Sequence, residues 1–450
     1  MLKIAIALVL TLSSASVAVS AGIDDAAARS AWPQWRGPLG TGVSPDGDPP
    51  TAWSEKQNVL WKTVLPGSGH STPIVWGERV FVTAAEPFGE ALPPKYDTAE
   101  GAHDGVPVTH RHRYLVVALD RRDGTIAWQK TVREEIPHEG GHVTGSYASA
   151  SPATDGEHIF AHFGSRGLYC LDFDGKIVWQ ADLGRMLTKH AHGEASSPVL
   201  HGDLLAVNWD CETGSFVAAL NTKTGKQVWK VARDEETSWS SPIVVADPPK
   251  NSGDNEGKPQ LVVSGTKRVR GYDLATGKLL WECGGLSSNI VASPVAADGM
   301  VFAGSSYEKQ AFVAIRLDGA RGDVSATDRV AWRLDRRTPY VPSPLLYKGS
   351  LYFLRHYQGV LTRMDAATGK ERQAPLRLEG MDEIYASPVA AADRLYVTDR
   401  EGVTLVLSHG EAPKVIARNR LDTQISASAA IAGRELFLRG ARHLYCIAER

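Results

Sequence analysis

The sequence predicts an all-β fold, an eight-bladed β-propeller of four-stranded antiparallel blades, on three observations. A hydroxyl-proline step recurs at Thr72-Pro73, Ser151-Pro152, Ser197-Pro198, Ser241-Pro242, Ser293-Pro294, Ser343-Pro344 and Ser387-Pro388, and Ser428-Ala429 heads an eighth unit that has lost its proline. Pro198 and Pro242 are 44 residues apart, and a period of roughly 40–50 residues with four strands per unit is the signature of propeller blades. The eighth unit ends at Arg450 after only three strands, whereas a spare strand, Asn58-Val-Leu-Trp61-Lys, precedes the first Thr-Pro. An N-terminal strand that completes the last blade closes the ring and leaves no open sheet edge.

The unit is clearest between Trp239 and Trp281. Its four strands are the Ser-Pro segment, Leu261-Val-Val, Val269-Arg-Gly-Tyr and Lys278-Leu-Leu-Trp281. They are short apolar runs bounded by Gly, Pro and Asp, which is how strands read. One such sheet has two apolar faces and needs a neighbour on each side. Fourth strands end in Trp128, Trp179, Trp229, Trp281 and Trp332, and Trp61 is expected to do for blade eight what Trp281 does for blade four. The sixth and seventh units lack this tryptophan.

In chain order, residues 1–21 read as a secretory signal peptide: Lys3, the apolar run Ile4–Leu12, and the small-residue site Val19-Ser-Ala21. The apolar run is too short to span a membrane, and no cysteine follows the cleavage site to carry a lipid. The expected localisation is exported, periplasmic or secreted. A formal net charge of -2 gives no basic excess for nucleic acid. Residues 22–57 form a lead segment, with Trp32-Pro-Gln-Trp35-Arg-Gly-Pro, expected to strap onto the propeller or plug one end. The propeller proper spans 58–450, with an insertion at 84–113 in blade one and a polar loop from Asp247 to Lys258. Cys170, Cys211, Cys283 and Cys446 are scattered; a Cys211–Cys283 disulfide is the one pairing open, and there is no Cys-x-x-Cys motif.

Sorting connections by face is the step that bears on function. First-to-second and third-to-fourth turns share one face and are tight, Gly-containing hairpins, among them Asp123-Gly124, Asp174-Gly175 and the Thr-Gly-Lys turns at 224, 276 and 368. Second-to-third loops and blade-to-blade crossovers share the other. That loop face collects His142, Lys189, His190, His192, Trp209, Asp210, Trp239, Arg268, Tyr307, Tyr340, His356 and Tyr385. These are the candidate ligand- or partner-contacting residues, around the central funnel. The partner expected is a protein, or a small-molecule or glycan ligand.

Three local signals bear on chemistry. His138-Glu-Gly-Gly-His142 matches H-E-x-x-H, but that zinc chemistry needs a helix. Pro137, two internal glycines and flanking strands argue against one. His190-x-His192, with His142 and the blade-one histidines, offers imidazoles to a metal from loops, although histidines on loops are more often satisfied by hydrogen bonds. The hydroxyl heading every unit is explained by crowding at the axis, where small hydrogen-bonding residues fit; no His/Asp partner marks a catalytic serine.

The pattern Ser-Pro … Tyr-Asp273 … Ala275-Thr-Gly-Lys … Trp281, repeated at Asn221-Thr-Lys-Thr-Gly-Lys … Trp229 and at Asp365-Ala-Ala-Thr-Gly-Lys, resembles the pyrroloquinoline-quinone-like propeller repeat over residues 58–450. The Trp32-Pro-Gln-Trp35 lead resembles that of exported bacterial proteins of this fold. The resemblance extends to the outer-membrane assembly factor B, which binds partners, and more distantly to quinoprotein dehydrogenases, which hold pyrroloquinoline quinone and Ca²⁺. The dehydrogenases' adjacent Cys-Cys pair is absent. Asn208, Asp210 and Glu212 offer chemistry similar to their calcium site without matching its motif. The reading that results is a binding or scaffolding module, with a quinone- and Ca-dependent periplasmic oxidoreductase as the alternative.

Overall fold

The computed structural model describes residues 25–245 and 258–449. The signal peptide and most of the Asp247–Lys258 loop lie outside the described residues. Eight antiparallel four-stranded blades ring a central axis. Blade one is built from Ile74–Trp76, Arg79–Phe88, Arg111–Asp120 and Ile126–Glu135. Blade eight takes Ala430–Ala432, Glu435–Arg439 and His443–Ile447 from the C-terminal end and Val59–Val64 as its outermost strand. Trp61 stands opposite Cys446 in that pairing, so the ring closes as the repeat count requires.

The first strand of each blade lies innermost, against its counterparts in the neighbouring blades. There the backbone N–H of Thr72 donates to Ser151 Oγ at 2.9 Å, that of Ser151 to Ser197 Oγ at 2.9 Å, and so on through Ser241, Ser293, Ser343 and Ser387 to Ser428. Each serine hydroxyl from Ser151 to Ser428 therefore satisfies the preceding blade's amide where the strands crowd the axis. A larger side chain would neither fit nor accept this bond. The serines are structural.

Tryptophans join the blades at their rims. Trp61, Trp128, Trp179, Trp229 and Trp332 each donate Nε1–H to a carbonyl of the next blade, at 2.8, 2.7, 2.6, 2.9 and 2.9 Å. Each ring lies flat on the glycine of that blade's last hairpin; a Cβ on Gly124 would stand 2.5 Å from Trp61 Cδ2. The glycine is thus needed for the stacking as well as for its positive φ.

Trp281 is the exception and corrects the expectation that Trp61 copies it. Blade five replaces the short turn with the longer Leu317–Val330 connection, and Gly322–Asp323 pairs as a parallel fifth strand with Trp281 and Glu282. With no glycine turn to cover, Trp281 turns into its own blade, over Gly271, and donates to Gln260 Oε1 at 2.9 Å. A second correction concerns the cysteines. All four are unpaired and buried. Cys211 packs in the core between blades two and three and Cys283 in that between four and five, so no disulfide joins them.

The lead segment closes the turn face. Trp32 pairs with Val75 of blade one, Pro33 O accepts from Thr154 of blade two, and Gln34 Oε1 accepts from Leu200 of blade three. Trp35 Nε1 then reaches Ser293 Oγ of blade five, and the Arg36 guanidinium donates to Pro344 O and Pro388 O of blades six and seven. Successive residues that touch opposite sides of the ring must cross its axis, so the segment blocks this end of the channel. The loop face is the end that the lead segment leaves uncovered.

Candidate functional site

The insertion of blade one is shorter as a loop than its sequence span. Strands run on to Phe88 and resume at Arg111, with Arg113 stacked over the Phe88 ring and paired with Glu86 and Glu134. The intervening residues arch over the loop face. Gly105–Val106 pairs with Gly141–His142, Lys95 Nζ donates to His138 O at 2.8 Å, and Gly140 N donates to Asp97 Oδ2 at 2.7 Å. Beneath the arch lies a cavity of about 750 Å³, between residues 95–101, His138, Glu139, Leu187–His190 and Glu212. That is the size of a small-molecule site.

The inner wall of the cavity carries a buried polar cluster. Glu139 accepts Thr188 N at 3.1 and 3.2 Å and Thr188 Oγ1 at 3.3 Å. Burial pushes its carboxyl up to about 7 against the Thr188 amide, and the charges of Glu194 and Asp97 push the same way. Glu194 accepts Ser165 N at 2.6 Å and Arg166 Nη1 at 2.9 Å. It fits only because position 164 is glycine: a Cβ there would sit 1.5 Å from Glu194 Oε2. His138 Nε2 donates to Met186 O at 2.7 Å and lies 3.7 Å from Glu139 Oε2 and 3.8 Å from Glu194 Oε1. His138, Glu139 and Glu194 are the residues whose donor atoms lie close enough together, among the described residues, to hold a metal ion. His138-Glu139 belongs to an extended crossover, as the sequence required, and the H-E-x-x-H pattern forms no helix.

The candidate residues of the loop face divide into groups. His142 and His192 stand 4.7 Å apart by ring centroid, and His103 stands 4.8 Å from His190 and 4.9 Å from His192. His190 and His192 are 5.3 Å apart. Burial and the three neighbouring imidazoles hold His192 down near 4. Trp239 joins this side through Nε1–H to Gly193 O at 2.7 Å. Lys189 Nζ, 3.9 Å from Glu236 and 4.0 Å from Glu308, reaches from it toward blade five. On the other side Tyr307 stacks on Tyr340 at 5.6 Å, Tyr340 meets His356 at 4.5 Å, and Tyr357 continues to Tyr385 at 5.9 Å. Arg268 belongs to neither: it pairs with Glu282 and Asp323 at the outer rim.

Two of the candidates are withdrawn from the surface. Trp209 is buried and stacked on Phe216 between blades two and three. Asp210 is buried with both oxygens on Arg233, at 2.7 and 3.1 Å, and with Ser238 Oγ on Oδ2. The sequence places both on the loop face, but the second strand of blade three, Leu204–Trp209, runs through Trp209, which pairs with Phe216, and Asp210 follows it directly. The same packing bears on a calcium-bound quinone. Asp210 is taken up on both oxygens by Arg233 and on Oδ2 by Ser238, and Glu212 Oε1 by Thr237, while Asn208 Oδ1 is left unpartnered. Asp210 is thus not free to join a calcium site, and the cysteines sit apart in blade cores. These residues do not fit a calcium-bound quinone.

The sequence model of the family described as outer membrane protein assembly factor BamB matches residues 112–282 and 254–449. The chain belongs to this family. Among solved structures it is similar to BamB from Moraxella catarrhalis, at 14% identity and TM-score 0.53, covering 81% of this chain and 98% of that one. It is also similar to the quinohemoprotein alcohol dehydrogenase of Comamonas testosteroni, at 10% identity and TM-score 0.57, covering 94% and 81%. Saccharomyces cerevisiae Sqt1 superposes at 13% identity and TM-score 0.57, covering 88% and 99%. At such identities these likenesses show the fold alone. No curated protein matches the chain.

Proposed function

We propose that the chain is an exported binding module that takes a protein, or a small-molecule or glycan ligand, on its loop face, with the cavity under the blade-one arch as the principal pocket. The observation that carries this reading is the cavity of about 750 Å³ on the one end of the ring that the lead segment leaves open. Membership of the BamB family supports a binding role. Export rests on the signal-peptide pattern of residues 1–21; no helix among the described residues is long and apolar enough to cross a membrane, which says nothing of β-barrels. The test is a thermal-shift series on the purified mature protein with amino acids, short peptides, hexoses and oligosaccharides as probes. A rise in Tm that Lys95→Ala and His190→Ala abolish supports the pocket. Dye reduction by the protein reconstituted with pyrroloquinoline quinone and Ca²⁺ would replace this reading with the oxidoreductase.

A further inference from the structure

We propose that the cleft between blades two and three binds a divalent transition cation of the Zn²⁺ or Mn²⁺ class, through Nε2 of His138 and one carboxylate oxygen each of Glu139 and Glu194. The three donor atoms lie within 4.8 Å of one another. An ion with bonds of about 2.1 Å in tetrahedral geometry holds its ligand atoms about 3.4 Å apart. The 3.7 and 3.8 Å separations from Nε2 to the two carboxylates therefore need to close by a few tenths of an ångström, and the two carboxylate oxygens, within 4.8 Å of each other, by up to about 1.4 Å, which a turn of either side chain supplies. One nitrogen and two oxygens suit zinc and manganese better than a soft, thiolate-seeking metal.

A second, independent observation points to the same place. His162 Nε2 and Asn208 Oδ1 line the cleft together with Glu139 and Glu194, are almost wholly buried, and have no hydrogen-bond partner. Both are acceptors. His162 Nδ1 lies 3.2 Å from Ser196 O, which fixes the proton there and leaves Nε2 its lone pair. The Asn208 amide nitrogen donates to Ser238 Oγ and Ser240 O, which fixes its oxygen on the unpartnered side. Two unmet lone pairs beside two carboxylates call for something that brings positive charge or hydrogens. The cleft has about 20 Å³ of free space, enough for a single water or a bare ion and too little for an organic molecule. One water in that space, bound to a cation seated between His138, Glu139 and Glu194, meets both demands, since a metal-bound water has only hydrogens to offer outward.

The surroundings fit an ion as well. Glu194 and Glu135 face the Arg166 guanidinium at 2.9 and 3.5 Å, and Glu135 is also paired with Arg133 at 2.8 Å, which leaves Glu139 as the carboxyl with no arginine on it. Thr188 orients Glu139, and Ser165 and Arg166 orient Glu194, as the outer partners of metal ligands do. When the ion binds, the His138 ring gives up its Nε2–H bond to Met186 O and turns toward the carboxylates, and its proton moves to Nδ1, which is buried and unpartnered. Any proton on Glu139 leaves to solvent, because the ligand must be the carboxylate. His138 and Glu139 also border the large cavity, which gives the ion a way in.

The surface imidazoles are the competing site, so the test removes them first. The full mature chain carrying His190→Asn and His192→Asn is stripped with chelator and titrated calorimetrically with ZnCl₂ and with MnCl₂. One equivalent should bind, and adding Glu139→Gln should weaken it at least about tenfold while the Tm without metal stays close to that of the background. A Mn²⁺ anomalous-scattering peak between His138, Glu139 and Glu194 would place the ion without any further variant, so the result does not depend on Glu194→Gln folding beside Arg166. No binding in the imidazole-free background overturns the proposal. So does binding that Glu139→Gln leaves unchanged, or a peak at His103 and His142.

Discussion

The two ends of the propeller use similar residues for opposite purposes. On the turn face, Trp32–Arg36 spans the axis through backbone pairing, and Arg36, wholly buried with no carboxylate beside it, spends its charge on the carbonyls of Thr41, Pro344 and Pro388. Burial alone pulls that guanidinium down to about 9. On the loop face, Arg166 is just as deeply placed but stands among Glu135, Glu194 and the rings of Tyr114 and Tyr147. The first arginine ties chain to chain. The second positions a carboxylate beside a cleft that still has unmet acceptors. The open end has a buried arginine of the first kind as well, Arg439 on Ser71 O, so the contrast lies in the carboxylates that Arg166 alone of them meets.

The hardest blow to that division is removal of the closed end. A chain starting at residue 66 lacks both the strap and the outermost strand of blade eight, and should show no cooperative unfolding transition in urea followed by circular dichroism. An unchanged m-value and midpoint would mean that neither closes the ring. Next in size is Trp61→Ala, which removes a buried indole from the seam between blades eight and one and should cost about 3–5 kcal/mol. Little or no loss would show that the seam holds without its tryptophan.

This seam was readable in the sequence because it repeats. The blade number, the closing strand and the hydroxyl ring follow from spacings at Thr72, Ser151 and their successors, where the same hydroxyl–amide contact recurs seven times. What was not readable is where repetition fails. Trp281 looks like its counterparts, yet the turn it would cover is lengthened in the following blade, and no local pattern reports a neighbour's loop. Trp209 and Asp210 read as loop residues, yet Trp209 ends a strand and both are buried, with Phe216 packed on the indole and Arg233 on the carboxylate. His138, Glu139 and Glu194 were visible as letters. Their signal was two consecutive crossovers, His138-Glu139 and His192-Gly-Glu194, at equivalent places in adjacent blades, which the propeller brings side by side.

Smaller again is the effect of Arg36→Met, which keeps the apolar stem but strands three carbonyls. A loss of about 2–4 kcal/mol is expected; near-neutrality would mean that the backbone pairing alone holds the strap. A pH series sharpens the contrast from the other end. His70, beside Arg400 and Arg439 near the axis of the loop face, is held down near 4 by burial and by those two charges. Its folded value lies below the ordinary 6.5, so the folded state prefers the neutral ring. The stability this gives is complete above pH 6.5 and is lost as pH falls from there toward 4. The loss is at most about 3 kcal/mol, and less because the ring keeps some contact with solvent. His70→Asn should flatten that part of the profile, measured as wild-type minus variant unfolding free energy. A difference that stays flat or shrinks as pH rises from 4 to 6.5 would contradict the assignment.

The smallest effect belongs to the tyrosine side of the loop face. Tyr307 is 44% exposed and touches the fold through its stack on Tyr340. Truncation to alanine forfeits that stack and little else, so Tyr307→Ala should cost about 0.5–1 kcal/mol. The same substitution made in a blade seam costs several times more, because there the aromatic ring is the packing between two sheets. A loss above about 2 kcal/mol for Tyr307 would mean that the tyrosines brace blades five to seven, and that the open end contributes to stability as the closed end does. A loss within the expected range leaves Tyr307, Tyr340 and His356 as a surface whose cost of exposure the fold carries without using it for its own stability. That is the physical mark of residues kept for contact with something else.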